Sequence, residues 1–435
     1  MSFEEETQAG NYFVSNYPPY SFWNADDVKR VQAIFDKPPS VNSPLGVYVH
    51  IPFCRKRCHF CYFKVYTDKN AAEVDGYLDA VIRELDLYAS KPFIGRRRPT
   101  FVYFGGGTPS YISTTQLGKL VTEMKRLLPW DQAQEVAFEC EPGTLTEGKV
   151  KVLRDLGVTR LSLGIENFDE SILKANGRAH GAKEIDRSYG FIRAAGFPQI
   201  NIDLISGMVG ETEENWRECI RRTIELSPDS VTIYQMEVPY NTTIFKEMRV
   251  LGQSNAPVAA WKTKREWVKF AFSEFEKAGY TVGSAYTVVK DPSRTKFLYR
   301  DMLWQGADML GLGVASFSHV QGTHFQNEHE FEAYCARLAE GKLPVFRALT
   351  PTNEQRMIRE FVLQMKLGRL SRAYFANKFD VDVAVRFAEP LGALVREGLA
   401  IVDAETVRLS RDGLLQVDRL LPEFFQPEHR VARRV

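Results

Sequence analysis

Six short β-branched or aromatic runs, each followed by a stretch with helical periodicity, constrain this chain more than any other feature of its 435 residues. The runs cover 47–51, 100–104, 135–138, 160–165, 200–205 and 231–236. Between the first two, Val74, Leu78, Val81, Ile82, Leu85 and Tyr88 recur at helical spacing over 73–89. Similar patterns cover roughly 115–128, 146–157, 183–195 and 212–226. Strand–helix alternation predicts a parallel sheet with crossover helices. Six units are too few for a closed eight-stranded barrel but fit an open one. The expected fold is therefore α/β: a partial (β/α)6, TIM-like barrel with ligand chemistry at the carboxyl ends of its strands.

The flanks differ. Residues 1–45 form an irregular extension with an aromatic stretch, YFVSNYPPYSFW, that reads as a surface strap or as a lid over a large apolar substrate. Residues 46–325 hold the alternating core and its extension, with a long helix expected over 258–277 and a Gly-rich segment, LGLGVASFS, over 310–318. Residues 326–435 read as short helices, then a hairpin at 399–409, then LSRDGLLQVDRLLPEFF, the outline of a mostly helical, winged-helix-like domain. Its basic residues are mixed with acids, so a nucleic-acid role is not expected. The whole chain has 56 Lys+Arg against 55 Asp+Glu, a net charge of +1 that gives no field to hold nucleic acid or an anionic membrane. No run of 18 apolar residues suggests a spanning helix, and the acidic opening MSFEEETQAG lacks an apolar leader region, so a cytoplasmic, monomeric protein is expected.

Six cysteines are present, and three crowd one short segment: Cys54-x3-Cys58-x2-Cys61, just after the first expected strand. So sparse a set is a poor disulfide framework and implies a reducing compartment. Three thiolates on one loop can hold three irons of a cubane cluster, leaving the fourth iron without a protein ligand. The alternative is zinc, which wants four ligands, the last from His50 or His59. Cys140, Cys219 and Cys335 read as packing thiols.

YVHIPFCRKRCHFCYF (48–63), FGGGTPSY (104–111), RLSLGIENF (160–168) and NIDLISGMVGET (201–212) together resemble the radical S-adenosylmethionine superfamily, and within it the oxygen-independent coproporphyrinogen III oxidase-like family. That family also includes heme chaperones and radical methylases and cyclopropanases. The resemblance implies a [4Fe-4S] cluster on Cys54, Cys58 and Cys61, with S-adenosylmethionine chelating the open iron and reduced to a 5′-deoxyadenosyl radical. It implies that Gly106, Gly107 and Thr108 bind the methionine amino group together with Glu139, and that Arg178 pairs with the methionine carboxylate. Glu166 would contact the ribose. Asp203, a lone acid in an apolar strand, would face the ligand. Tyr48 and Phe60 would flank the cluster. Tyr48, Glu139 and Asp203 are the candidate catalytic residues. A second S-adenosylmethionine, where the family holds one, would touch Phe60, Gly107, Ile205 and Phe317.

Two departures bear on the reaction. The oxidases read Cx3CxxCxC, whereas Cys61 is followed here by Tyr62 and Phe63; the family glutamine after the fourth strand is Glu166. The chaperones share CxF after the third cysteine, but their HNxxYW-like heme-binding sequence has only YRDMLWQG (299–306) as a local analogue, and His319 and His324 read as loop histidines. These departures order the expectations. C–H functionalisation by methyl or methylene transfer from a second S-adenosylmethionine comes first. Oxidative decarboxylation of a tetrapyrrole follows, and then heme chaperoning. The expected partners are a tetrapyrrole or natural-product intermediate and a reductant such as flavodoxin or ferredoxin.

Overall fold

The computed structural model describes residues 6–253 and 255–430, so the acidic residues 1–5 on which the leader argument partly rests lie outside the described residues. In chain order the strands are β1 (Leu45–Ile51), β2 (Pro99–Gly106), β3 (Glu135–Cys140), β4 (Arg160–Glu166), β5 (Gln199–Ser206), β6 (Ser230–Gln235), β7 (Thr281–Val282), β8 (Thr287–Val289), β9 (Asp308–Leu312), β10 (Phe317–Val320), β11 (Thr323–Asn327) and β12 (Val345–Leu349). Three short strands follow: β13 (Arg369–Ser371), β14 (Ala400–Val402) and β15 (Thr406–Leu409). The chain divides into two compact units, one comprising 23–203 and 296–350, the other 6–22, 204–295 and 351–430.

The first unit carries the sheet order β12-β11-β10-β9-β1-β2-β3-β4-β5. From β9 through β1, β2, β3 and β4 the pairing is parallel. Its crossover helices start where polar caps satisfy the free amides of a first turn: Asn70 and Glu73 form a reciprocal box at Ala71–Ala89, and Ser113 and Gln116 do so at Thr114–Leu127. Val47, Val49, Ile51, Val102 and Phe104 are buried on one face of their strands. Alternate positions turn the other way, and their side chains meet: Tyr48 stacks on Tyr103 at 5.9 Å, Tyr103 donates to Glu139 at 2.6 Å, and Ser162 donates to Asp203 at 2.7 Å. The register Tyr48↔Tyr103, Phe104↔Phe138 and Glu139↔Ser162 sets those meetings.

The strands β9 to β12 were not expected beyond a Gly-rich segment. They are short, β10 and β11 carry Ser, His, Thr, Gln and Asn, and the antiparallel pairing from β9 to β12 replaces a long apolar run with local partners. His319 and His324 are cross-strand partners on β10 and β11, buried rather than in a loop; His319 Nδ1 lies 2.9 Å from the Ala307 carbonyl, and His324 stacks on Trp23. YRDMLWQG folds as the helix Leu298–Trp304. It sits at the amino ends of the barrel strands, where Glu135 accepts from the Leu298 and Tyr299 amides at 3.0 Å and Arg160 lies over the Phe297 ring at 4.5 Å. The cysteines follow the carboxyl end of β1.

In the second unit β6 pairs antiparallel with β8, and β8 with β7. The helix Trp261–Lys277 begins three residues later than expected. The aromatic arm is a strap here: Tyr12 meets Trp261 edge-on at 5.0 Å, Phe13 lies 5.4 Å from Tyr286, and Tyr17 is fully buried. Two buried lysines pin it. Lys264 Nζ donates to Thr7 and to the Met236 carbonyl, each at 2.7 Å, and Lys366 Nζ donates to the Val14 carbonyl at 2.6 Å and pairs with Asp418. Strands β13, β15 and β14 form the small sheet, in that order, of the expected winged-helix-like module. No helix among the described residues is long and apolar enough to cross a membrane.

Candidate active site

The cysteine loop leaves β1 and is closed at its base. The Cys54 amide donates to the Tyr66 carbonyl and the Tyr66 amide to the Pro52 carbonyl. Inside it, the Cys61 amide donates to the Cys58 carbonyl, Arg57 donates to the Cys61 carbonyl, and the His59 amide donates to the Asn176 carbonyl. The end of β2 lies against this loop, with the Gly107 and Thr108 amides donating to the Ile51 and Phe53 carbonyls. The glycines owe their identity to that approach. Gly106 has φ +115°, and a Cβ there would meet the His50 ring at 2.5 Å; at Gly107 it would meet the Ile51 carbonyl oxygen at 3.0 Å.

Cys54 is buried, and Cys58 and Cys61 are half-buried. Burial pushes the Cys54 thiol up to about 11 and the Cys61 thiol up to about 12, so metal capture must displace these protons. Thr108 Oγ1 donates to Cys54 Sγ and Arg178 Nη1 to Cys58 Sγ, each at 3.3 Å. Both candidate zinc histidines are engaged elsewhere. His50 Nδ1 meets the Tyr48 hydroxyl at 3.1 Å and its pKa is held down to about 4 by burial; His59 Nδ1 meets the Ala175 carbonyl at 3.1 Å. Among the described residues no three His, Cys, Asp or Glu side chains converge as a single ion would require. A loop of three thiols with no fourth protein donor fits a cluster with one open corner better than it fits zinc.

Beside the loop the strands bring Glu139, Glu166 and Asp203 within electrostatic reach of one another, with Arg178 beside Glu166. Burial raises Glu139 to about 7, with Asp203 pushing the same way against hydrogen bonds from Tyr103 and the Gly106 amide. Burial also raises Glu166 to about 7, opposed by Arg178 and reinforced by Asp203 and Glu139. Asp203 is held by Ser162 and by the Asn201 amide at 2.9 Å. Arg178 Nη2 donates to the Gly164 carbonyl at 2.6 Å and lies 3.7 Å from Glu166 Oε1, while its buried Nε has no hydrogen-bond partner. Three carboxylates and one guanidinium with a donor to spare fit a ligand bearing two cationic groups and one carboxylate, the pattern of S-adenosylmethionine.

Eight of the expected residues thus gather in one unit around the loop: Tyr48, Gly106, Gly107, Thr108, Glu139, Glu166, Arg178 and Asp203. Phe60 is half-buried on the loop itself. Phe317 is half-buried on β10, edge-on to Trp23 at 5.6 Å. Ile205, buried, falls in the other unit. Three functional neighbours escaped sequence reading: Tyr103, Ser162 and Asn201. The period-2 spacing that places Tyr103 opposite Tyr48 and Asn201 beside Asp203 was the signal that could have found them.

Residues 48–223 match the model of the radical SAM superfamily. The chain is 28% identical over 401 residues to an oxygen-independent coproporphyrinogen III oxidase of Synechocystis sp., covering 87% of this chain and 84% of that one. It is also 28% identical over 372 residues to the heme chaperone HemW of Bacillus subtilis, covering 85% and 96%. Its fold matches the coproporphyrinogen III oxidase HemN of Escherichia coli with a TM-score of 0.81 at 24% identity, over 96% of this chain and 99% of that one.

Proposed function

We propose that this chain is a radical SAM protein of the coproporphyrinogen III oxidase-like family, with a [4Fe-4S] cluster and S-adenosylmethionine as its cofactors, and that it oxidatively decarboxylates a tetrapyrrole. The observation that carries the reading is similarity to such oxidases along most of the chain, joined to the buried carboxyl groups of Glu139 and Glu166 beside the cysteine loop. Methyl or methylene transfer, placed first on the sequence departures alone, finds no support in these relatives and yields to the oxidase reading.

Bound together, the cofactors supply a one-electron cleavage whose product abstracts hydrogen from a C–H bond. The chain's part is placement and exclusion of water. Cys54, Cys58 and Cys61 would hold three irons, with Thr108 and Arg178 donating to two of the sulfurs. Glu139 would accept from the methionine ammonium, and Arg178 would turn its spare Nε–H to the methionine carboxylate. Asp203, oriented by Ser162 and Asn201, would accept from the nucleoside, and the half-buried Tyr48–Tyr103–Tyr299 stack would keep water from beneath it.

The test is anaerobic reconstitution followed by S-adenosylmethionine, dithionite and coproporphyrinogen III. 5′-Deoxyadenosine together with loss of carbon dioxide from the tetrapyrrole is expected. A cluster-replete protein that makes no 5′-deoxyadenosine refutes the enzyme reading, and S-adenosylhomocysteine in the products would restore methyl transfer. Heme chaperoning is the second reading. It is favoured by the CxF of Cys61 and Phe63 and by the match to the Bacillus subtilis chaperone, and it requires stoichiometric heme retention without turnover.

A further inference from the structure

Three loops that follow different strands meet at one carboxylate outside the pocket just described. Glu141 lies just past the end of β3. Arg55, next to Cys54, gives it a bidentate contact, Nη2 to Oε1 at 2.9 Å and Nε to Oε2 at 3.2 Å. The same Nη2 donates to the Ala179 carbonyl at 2.8 Å, one residue past Arg178. His180, whose side chain is fully buried, places Nδ1 3.0 Å from Glu141 Oε1 and Nε2 3.3 Å from the Ile165 carbonyl of β4. The Gly143 amide donates to the same Oε1 at 3.1 Å, and a Cβ on Gly143 would strike Arg55 Nη2 at 2.0 Å, so the turn after β3 leaves room for the guanidinium. Burial alone would raise the Glu141 pKa; His180 and Arg55 outweigh it and hold the carboxyl down to about 2, so it is an anion.

None of these hydrogen bonds goes to a sulfur or to Glu139, Glu166 or Asp203, although the charge of Glu141 is felt at Cys54 and at Arg178. What it joins is the loop of the three cysteines and the segment of Arg178. Those two segments would have to hold one ligand between them, the cluster on one side and the methionine carboxylate on the other. We propose that Glu141, with Arg55 and His180, is a positioning clamp that locks the cysteine loop to the Arg178 segment, so that S-adenosylmethionine meets its open iron and its carboxylate anchor in one frame. The inference rests on the cofactor assignment above.

Arg55→Ala is the sharpest probe, because the Arg55 side chain is 39% exposed and its removal leaves the fold's core untouched. Glu141→Gln and the double variant complete a cycle. Each protein is reconstituted without oxygen beside the wild type. Iron and acid-labile sulfide per chain, equilibrium binding of S-adenosylmethionine, and the change that the nucleotide causes in the electron paramagnetic resonance spectrum of the reduced cluster are then measured. Arg55→Ala should keep the wild-type iron content and weaken S-adenosylmethionine binding about 10–100-fold. The spectral change should reappear only at correspondingly higher nucleotide concentration. The double variant should lose less than the sum of the two single losses, because both substitutions break the same Arg55–Glu141 contact. Unchanged affinity in Arg55→Ala, losses that add in the double variant, or loss of iron from Arg55→Ala would each overturn the clamp. The wild type separates the two levels: its failure to take up a cluster is a failure of the cofactor assignment, whereas failure confined to the variants is a failure of the clamp.

Discussion

Glu139, Glu166 and Asp203 share one buried region where the charge of Asp203 raises the proton affinity of both glutamates, so burying the three together is costly. That expense is explained by a cation that arrives later. With Glu139 at about 7 in the free protein, part of the pocket is protonated at neutral pH, and binding an ammonium must release that proton. The sign follows: affinity for S-adenosylmethionine should rise as pH increases through about 7, because the ionised form is the one that pairs with the ligand. Between about pH 6 and pH 8 the dissociation constant should fall on the order of tenfold. Glu139→Gln should bind weakly with a shallower slope, because Glu166 still titrates near 7. Calorimetric titration of the cluster-loaded protein across that range checks it, and a pH-independent constant for the wild type contradicts it. At this scale the sequence was most legible where chemistry is written in residue type, as in the three cysteines, Arg178 and the lone Asp203. It was least legible where a role depends on who faces whom. Gly106, Gly107 and Thr108 were expected to bind the methionine amino group; what the sequence did not reveal is that the Thr108 hydroxyl points to Cys54 Sγ and that Gly106 and Gly107 make room for His50 and the backbone of 51–53.

Helix Ala71–Ala89 shows how an element is tied to its surroundings by one buried acid. Glu84 is fully buried; its Oε1 accepts from Asn327 at 2.7 Å, and its Oε2 accepts from the Gly313 amide at 2.8 Å and from the Tyr334 hydroxyl at 2.6 Å. It thereby joins the first crossover helix to the turn after β9, to β11 and to the helix Phe331–Ala339. Burial outweighs these donors and raises its pKa from 4.5 to about 7. Between those values the native state holds this proton more tightly than the unfolded chain does. Stability from this group is therefore complete below the unfolded value and is lost as pH rises through about 7. Glu84→Gln should remove that slope. From about pH 5 to pH 8 the wild type should lose on the order of 1–3 kcal/mol more than the variant. Denaturant unfolding of both proteins at several pH values decides, and parallel stability curves would show that the carboxyl does not titrate in the folded state. The same helix was readable in advance from its apolar spacing, and so were the six core strands. Strands β10 and β11 were not, because their identity comes from partners rather than from hydrophobic runs.

At the scale of the whole chain, the cysteines, Arg178, Glu139, Glu166 and Asp203 belong to one compact unit, although they are spread over 54–203. Strand–helix alternation foresaw this, because parallel strands return every loop to the same end of the sheet. It could not foresee that the strap of residues 6–22 and the winged-helix-like module would share the other unit, since that grouping depends on Lys264 and Lys366, two lysines whose burial no local pattern announces. The division makes a prediction about where a bound nucleotide is felt. Local opening free energies differ along a chain, and a ligand raises them where its contacts close over the backbone. Adding S-adenosylmethionine to the cluster-loaded protein should slow amide hydrogen exchange in the cysteine loop at 52–66, in the turn at 104–108 and in the Arg178 segment at 164–180. The hairpin of β14 and β15 and the amides of the strap should exchange at unchanged rates. Mass-spectrometric exchange with and without the nucleotide gives the map. Protection concentrated in the winged-helix-like module would mean that the pocket around Arg178 is not where this ligand binds. The Glu141→Gln protein should then show the same map as the wild type at saturating nucleotide, because a clamp alters how often the frame is correct and not which residues form it.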